Sequence, residues 1–234
     1  VSQLQLTKPI INARMYMEMD RNYPKKAGNN GFHFYLPFHP ENDRSLVGNQ
    51  APGVFETLER VHEGKVADFA FSTTEYFSPE EMLEMLAEYD LDVIWMPLYM
   101  GEMQNFTEWG WSGSGNSITL AQEWGLSGAR QMEDDFMSGS LIHLLDLQSI
   151  EESKIAMLDN MEKMLGENKR LAEQLLVTNH LQDRYDYLQN EGFQVYGAVV
   201  TGPVKELLKL QEVNGLHSFQ LGEMIDWNWN NDEF

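Results

Sequence analysis

Lys65-Val66-Ala67-Asp68-Phe69-Ala70-Phe71-Ser72, then Ser78-Pro79-Glu80-Glu81-Met82-Leu83, then Leu91-Asp92-Val93-Ile94-Trp95-Met96-Pro97-Leu98-Tyr99 are the three signals that decide the fold. The first is an apolar run of strand length. The second starts a helix. Ser78 suits the N-cap, Pro79 suits the first helical position because its missing N–H needs no partner there, and Glu81 completes a capping box. Met82, Leu83, Met85 and Leu86 give that helix an apolar face, and Asp90 closes it. The third run is a returning strand.

The same grammar recurs near the other end. Phe193-Gln194-Val195-Tyr196-Gly197-Ala198-Val199-Val200 reads as a strand. Thr201-Gly202-Pro203 starts a helix with Pro in its first turn, Leu207, Leu208 and Leu210 supply the apolar side, and Asn214-Gly215 stops it. Leu216-His217-Ser218-Phe219-Gln220-Leu221-Gly222 is the returning strand. Each unit spans about 35 residues, the size of a strand–helix–strand crossover, whose two strands run parallel. Two such units in one sheet predict an α+β fold: a ferredoxin-like or related sheet with helices on one face.

Further elements surround the units. Ile10 to Met19 partly alternates and Phe32-His33-Phe34-Tyr35-Leu36 is strand-like, halted by Pro37 and Pro40; these are added N-terminal strands, with a turn at Gly28-Asn29-Asn30-Gly31. Val54 to Val61 reads equally as a short helix or a strand. Glu151 to Asn190 has helical composition and no proline. Unbroken, it would run roughly 60 Å at 1.5 Å per residue, longer than a compact domain, so a break is expected near Gly166-Glu167-Asn168. The stretch between the units is irregular, and the polar tail from Asp226 to Phe234 is expected to fray. The chain is read as a single domain over 1–234, with a division into 1–102 and 103–234 as the alternative.

A chain of 234 residues with 42% hydrophobic and 12% aromatic content has enough apolar surface for a packed core. The net charge of −21 repels phosphate backbones and anionic lipid, which argues against a nucleic-acid partner. It favours solubility, or the binding of a basic partner or cations. The absence of cysteine removes disulfides, thiolate catalysis and cysteine-ligated zinc. No apolar run approaches the roughly 20 residues of a membrane span, and no signal peptide is visible. The chain begins at Val1 and is read as a fragment or processed product.

Motifs for chemistry fail on spacing. Around Gly110-Trp111-Ser112-Gly113-Ser114-Gly115, G-x-S-x-G fails because the fifth residue from Gly110 is Ser114, and G-x-G-x-x-G fails at Ile118. No Walker lysine motif occurs. His33, His39, His62, His143, His180 and His217 form no H-E-x-x-H pair; His33 and His39 share a turn-rich segment. Glu133-Asp134-Asp135 and Glu151-Glu152 lack the form of a calcium loop. Trp109, Trp111 and Trp124 are either core residues or a surface that stacks on sugars or anchors a partner. Asn105-Phe106-Thr107 matches a glycosylation sequon, a pattern frequent by chance. The expectation is a non-enzyme with no catalytic, cofactor-binding or metal-binding residues.

Four stretches carry a family likeness: Leu6-Thr7-Lys8-Pro9-Ile10; Val66 to Ser72 with Ser78 to Leu83; Asp92-Val93-Ile94-Trp95-Met96; and Val195 through Thr201-Gly202-Pro203 to Leu210. They resemble the extracytoplasmic C-terminal regulator domain of certain Gram-positive anti-sigma factors. The last stretch is the most specific, and the likeness is weakest between about 103 and 150. The resemblance implies a cytoplasmic N-terminal segment that holds the sigma factor, one membrane span, and this domain outside. The chain would then be the outer piece alone, meeting a protein partner or an envelope-derived signal, with the span and the sigma-binding segment missing from it. No catalytic residue is carried over. Two other readings compete: an extracellular hydrolase without a recognisable motif, and a carbohydrate- or cell-wall-binding module using Trp109 and Trp111.

Overall fold

The first unit is built as its sequence reads in the computed structural model, which describes residues 31–46, 53–62, 64–106, 111–112, 117–120, 123–127, 130–132, 139–141, 145–176 and 178–226. A short helix, α1 (Val54–Glu59), resolves the ambiguous stretch and leads into strand β1 (Lys65–Phe77). Helix α2 (Pro79–Leu86) follows, and the capping box is complete. The Ser78 hydroxyl accepts from Glu81 N–H at 3.2 Å, and the Glu81 carboxylate accepts from Ser78 N–H at 2.8 Å. The Ser78 N–H, and then the Ser78 hydroxyl donating to the same carboxylate at 2.9 Å, hold the Glu81 carboxyl below its ordinary pKa. Met82, Leu83 and Leu86 are buried, and β2 (Asp92–Tyr99) returns.

Three short antiparallel pieces come next: β3 (Trp111–Ser112) with β4 (Thr119–Leu120), then β5 (Trp124–Ser127), then β6 (Arg130–Met132) with β7 (Gly139–Leu141). The helical stretch is α3 (Ile150–Leu176) followed by α4 (Leu181–Glu191). The expected break is at Asn168, whose φ of −164° and ψ of 87° leave the helical region. Its Oδ1 accepts from Leu171 N–H at 3.0 Å, so Asn168 caps the second half of its own helix. The second unit is β8 (Gln194–Pro203), α5 (Val204–Lys209) and β9 (Leu216–Asp226). Pro203 stands just before α5 rather than inside it, and the strand runs up to it. Among the described residues no helix is long and apolar enough to cross a membrane.

The main sheet has the order β5-β2-β8-β1-β9, and every neighbouring pair is antiparallel. The two strands of each unit are therefore parallel but never adjacent. β8 lies between β1 and β2, and β1 lies between β8 and β9. A helix about 10 Å across covers two inter-strand spacings of about 4.8 Å, so each crossover leaves a one-strand gap that the other unit fills. This interlocking is the ferredoxin-like arrangement, α+β as expected, with β5 added at one edge.

The sheet's two faces are covered differently. Phe69, Phe71, Leu98, Val195 and Val200 pack with Met82 and Leu86 of α2, Leu207 of α5, and Met157, Met161 and Met164 of α3. The opposite face presents Ala70, Trp95, Tyr99, Tyr196 and Val199. It is covered by Phe34, Leu36 and Leu46 and by Ile118 and Leu120. The strand expected at 32–36 is not a strand. Its donors go elsewhere: Phe34 N–H to Glu123 Oε1 at 2.9 Å, Tyr35 N–H to Ser72 Oγ at 3.0 Å, and Leu36 N–H to Ile118 O at 2.9 Å. With those bonds made, and Pro37 next, no ladder is needed to satisfy the backbone. Gly197 is required here, because a Cβ would stand 2.3 Å from Phe71 O and 2.7 Å from the Phe34 ring. The strand expected over 10–19 and the tail beyond Asp226 lie outside the described residues.

Candidate functional site

β2 ends at Tyr99, and the chain then turns sharply through Met100-Gly101-Glu102-Met103-Gln104-Asn105-Phe106. Gly101 has φ of +85° and Met103 φ of +64°. A Cβ on Gly101 would meet the Tyr187 ring at 2.7 Å, so both backbone conformation and space demand glycine. Asn105 N–H bonds Gly101 O at 2.9 Å, and Met103 N–H bonds Phe106 O at 2.7 Å. This knuckle folds Glu102 back into the protein, where the residue is fully buried.

The buried carboxylate is met by Arg184 of α4, also fully buried. Arg184 Nη1 donates to Glu102 Oε1 in a short contact. Met100 N–H donates to Glu102 Oε2 at 2.8 Å, and the Tyr99 hydroxyl donates to Glu102 O at 2.5 Å. Arg184 Nε donates to Asn179 O at 3.2 Å. The guanidinium lies over Phe106, 4.8 Å from the ring centroid, and over Trp124, at 5.5 Å. His180 stacks on Phe106 with 4.7 Å between centroids. The α4 periodicity explains the arginine's position: Leu181, Arg184 and Leu188 share one face, so a helix that docks its leucines must bury the arginine too.

Tyrosines extend the centre. Tyr99 lies 5.2 Å from Tyr76 and 5.6 Å from Tyr187, and Tyr76 meets Tyr196 edge-on. Burial raises all four hydroxyl pKa values, and the Glu102 charge adds to it; Tyr187 is pushed up to about 12 by burial, then by Glu191 and Glu102. All four phenols stay protonated at neutral pH; Tyr99 and Tyr187 donate, and the buried Tyr196 hydroxyl has no hydrogen-bond partner among the described residues. The carboxylate is neutralised by arginine, and neither partner has a solvent-facing atom. The arrangement joins two elements through a buried pair and offers no reacting atom to a substrate.

The residues singled out in the sequence do not converge. His33 bonds Gln220 through its backbone N–H, and His39 Nδ1 accepts from Glu41 N–H. His180 bonds Asp183 at 3.0 Å. His217 is buried; its Nε2 donates to Thr73 O at 3.1 Å, which leaves Nδ1 to accept from the Ser218 hydroxyl at 2.8 Å. Among the described residues no three His, Cys, Asp or Glu side chains form a group that would hold a metal. Glu151 pairs with Lys154, which also reaches Glu80 at 2.6 Å. Trp124 is buried beside the arginine. Trp109, His143, Glu133-Asp134-Asp135, most of the Gly110–Gly115 loop and the side chain of Trp111 lie outside what is described. A groove of ≈ 380 Å³ lies between α2 and residues 145–148, lined by Leu83, Leu86, Leu91, Val93 and Leu147. Asp146, Gln148 and Tyr89 also line it, and among the described residues of its lining there is no pairing of a nucleophile with a base.

Sequence reasoning passed over Glu102 and Arg184. One signal pointed to Arg184: a charge at an apolar position of a helical stripe. Nothing local pointed to Glu102.

Comparison with known proteins bears on both units and the centre between them. The family model described as "Sigma factor regulator C-terminal" matches residues 58–223. The "Probable anti-sigma-M factor YhdL" of Bacillus subtilis (strain 168) is 25% identical over 210 residues, covering 89% of this chain and 51% of that protein. The chain thus spans about half the length of this curated relative. No solved structure matches the chain.

Proposed function

The chain belongs to the sigma factor regulator C-terminal family, and on that premise we propose that it is the extracytoplasmic sensing and interaction domain of a membrane-anchored anti-sigma factor. The observation that carries this reading is the family match across both strand–helix–strand units, with the anti-sigma relative aligned over most of the chain. The sigma factor contact and the membrane span are assigned to sequence beyond this chain. Residues 1–234 act as one unit in this proposal. β2 of the first half and β8 of the second are neighbours in one sheet, and Glu102 of the first half closes on Arg184 of the second. The buried ion pair supports an interaction role over an enzymatic one, since it exposes no acid, base or nucleophile.

The absence of cysteine supplies the test. One cysteine is introduced at exposed Glu88 in the full-length parent, any others being replaced, and whole cells are treated with a membrane-impermeant maleimide. Labelling of intact cells is expected, together with a change in a sigma-dependent reporter when residues 58–223 are deleted. Labelling only after lysis would remove the extracytoplasmic placement. A reporter indifferent to the deletion would remove the regulatory role.

A further inference from the structure

We propose that α4 is a latch, a helix that detaches from the sheet as a unit and is held shut by the buried Arg184–Glu102 pair. Three observations meet here. First, α4 is bounded at both ends by backbone outside the right-handed helical region. His180, with φ of +58° and no capping bond from its own side chain, precedes it, the Leu181 N–H being held instead by Glu173 Oε1 of α3 at 3.1 Å, and Gly192, with φ of +79°, follows. Second, its buried face is short: Leu181, Arg184, Tyr187 and Leu188. Two of these four are polar, and Tyr187 donates to Gln194 at 3.1 Å rather than ending in hydrocarbon. Third, the arginine's acidic partner and one of its aromatic partners come from the 101–106 knuckle, 82 residues away from Glu102 to Arg184.

The physics of such a pair gives two states. In the closed state both charges are out of water, and their attraction offsets the desolvation only while the geometry is complete. In the open state both regain water, so opening recovers much of what it loses. An apolar contact of the same size behaves differently, because opening exposes hydrocarbon and nothing compensates. A closed ion pair at near break-even, on a short helix hinged at both ends, is a bistable element that a small bias can tip. Release would also free Phe106, clamped between His180 and Arg184. The latch stands on geometry alone. Its use as the moving part of a sensor rests on the function proposed above.

Hydrogen exchange on the 234-residue chain tests the latch without reference to any sigma factor, so its result and that of the reporter can fail separately. In the wild type, amides of 181–191 and 101–106 should exchange together, through an opening less costly than that of β1 and β8. Glu102→Gln removes the negative charge that faces the buried guanidinium in the closed state. Protection over 181–191 and 101–106 should fall about 100-fold, with β1 and β8 unchanged. The double variant Glu102→Met/Arg184→Met replaces the pair by hydrocarbon and should restore wild-type protection or exceed it. The proposal is overturned if Glu102→Gln lowers protection everywhere alike or nowhere. It is also overturned if the double variant is as open as the single one. Should Glu102→Gln fail to fold, a wild type in which α4 and β8 exchange at one common rate overturns it too.

Discussion

The sheet's helix-covered face and the junction of β2 with α4 are closed by different physics. On the helical face Phe69 and Phe71 lie in one apolar cluster with methionine, leucine and phenylalanine side chains. At the junction the innermost groups are a carboxylate and a guanidinium. Apolar burial is graded: each methylene removed costs a share, and neighbours relax around the gap. An ion pair out of water has no partial version, because one partner without the other is worse than neither. The face therefore suits a part that stays put, and the junction suits a part that opens.

The contrast can be broken at either end. Phe69→Ala should cost about 4 kcal/mol of global stability, seen as one lowered denaturant midpoint with an unchanged slope. A loss confined to one element would show that this face is not a single cooperative core. Arg184→Met leaves the Glu102 charge buried without its counter-charge and should cost about 3 kcal/mol, expressed first as loss of α4 structure. Adding Glu102→Met should recover most of it, and a double-mutant cycle without coupling would remove the distinction between the regions. Ser78→Ala deletes the α2 cap and should cost about 1 kcal/mol, with the junction untouched.

The smallest expected signal is a pH dependence of the β1–β9 contact. Burial holds the His217 pKa below the ordinary histidine value, and the hydrogen bond to Thr73 only partly opposes it. The folded pKa lies below the unfolded one, so this histidine's contribution is present above about pH 6.5 and is lost as pH falls through the folded value. Urea midpoints at pH 7.5 and pH 5 should diverge for the wild type by more than for His217→Gln. Equal divergence would show that His217 is not the titrating group.

How much of this was legible depends on the range of the signal. The α2 start was complete in five residues, Ser78 to Met82, because a capping box is a local hydrogen-bond pattern. The break near Gly166-Glu167-Asn168 was legible because a helix of that length outruns a domain. The stretch 32–36 misled, because strand-like composition cannot say whether the backbone donors will find a ladder or the side chains of Glu123 and Ser72. The candidate centre was the least legible part. Glu102 is an unremarkable acid after a glycine until the fold brings Arg184 to it.

The two strand–helix–strand units were determined by the sequence itself. Apolar runs, a cap, a proline at a helix start and a stopping glycine act within a few residues, and local sterics and hydrogen bonding settle them. The tertiary structure alone decided that the units interlock, with β8 between β1 and β2. It also decided that the covering of the second sheet face is irregular, and that one carboxylate and one guanidinium meet inside. Those outcomes depend on which distant surfaces exclude water from each other, and no window of neighbouring residues contains that information.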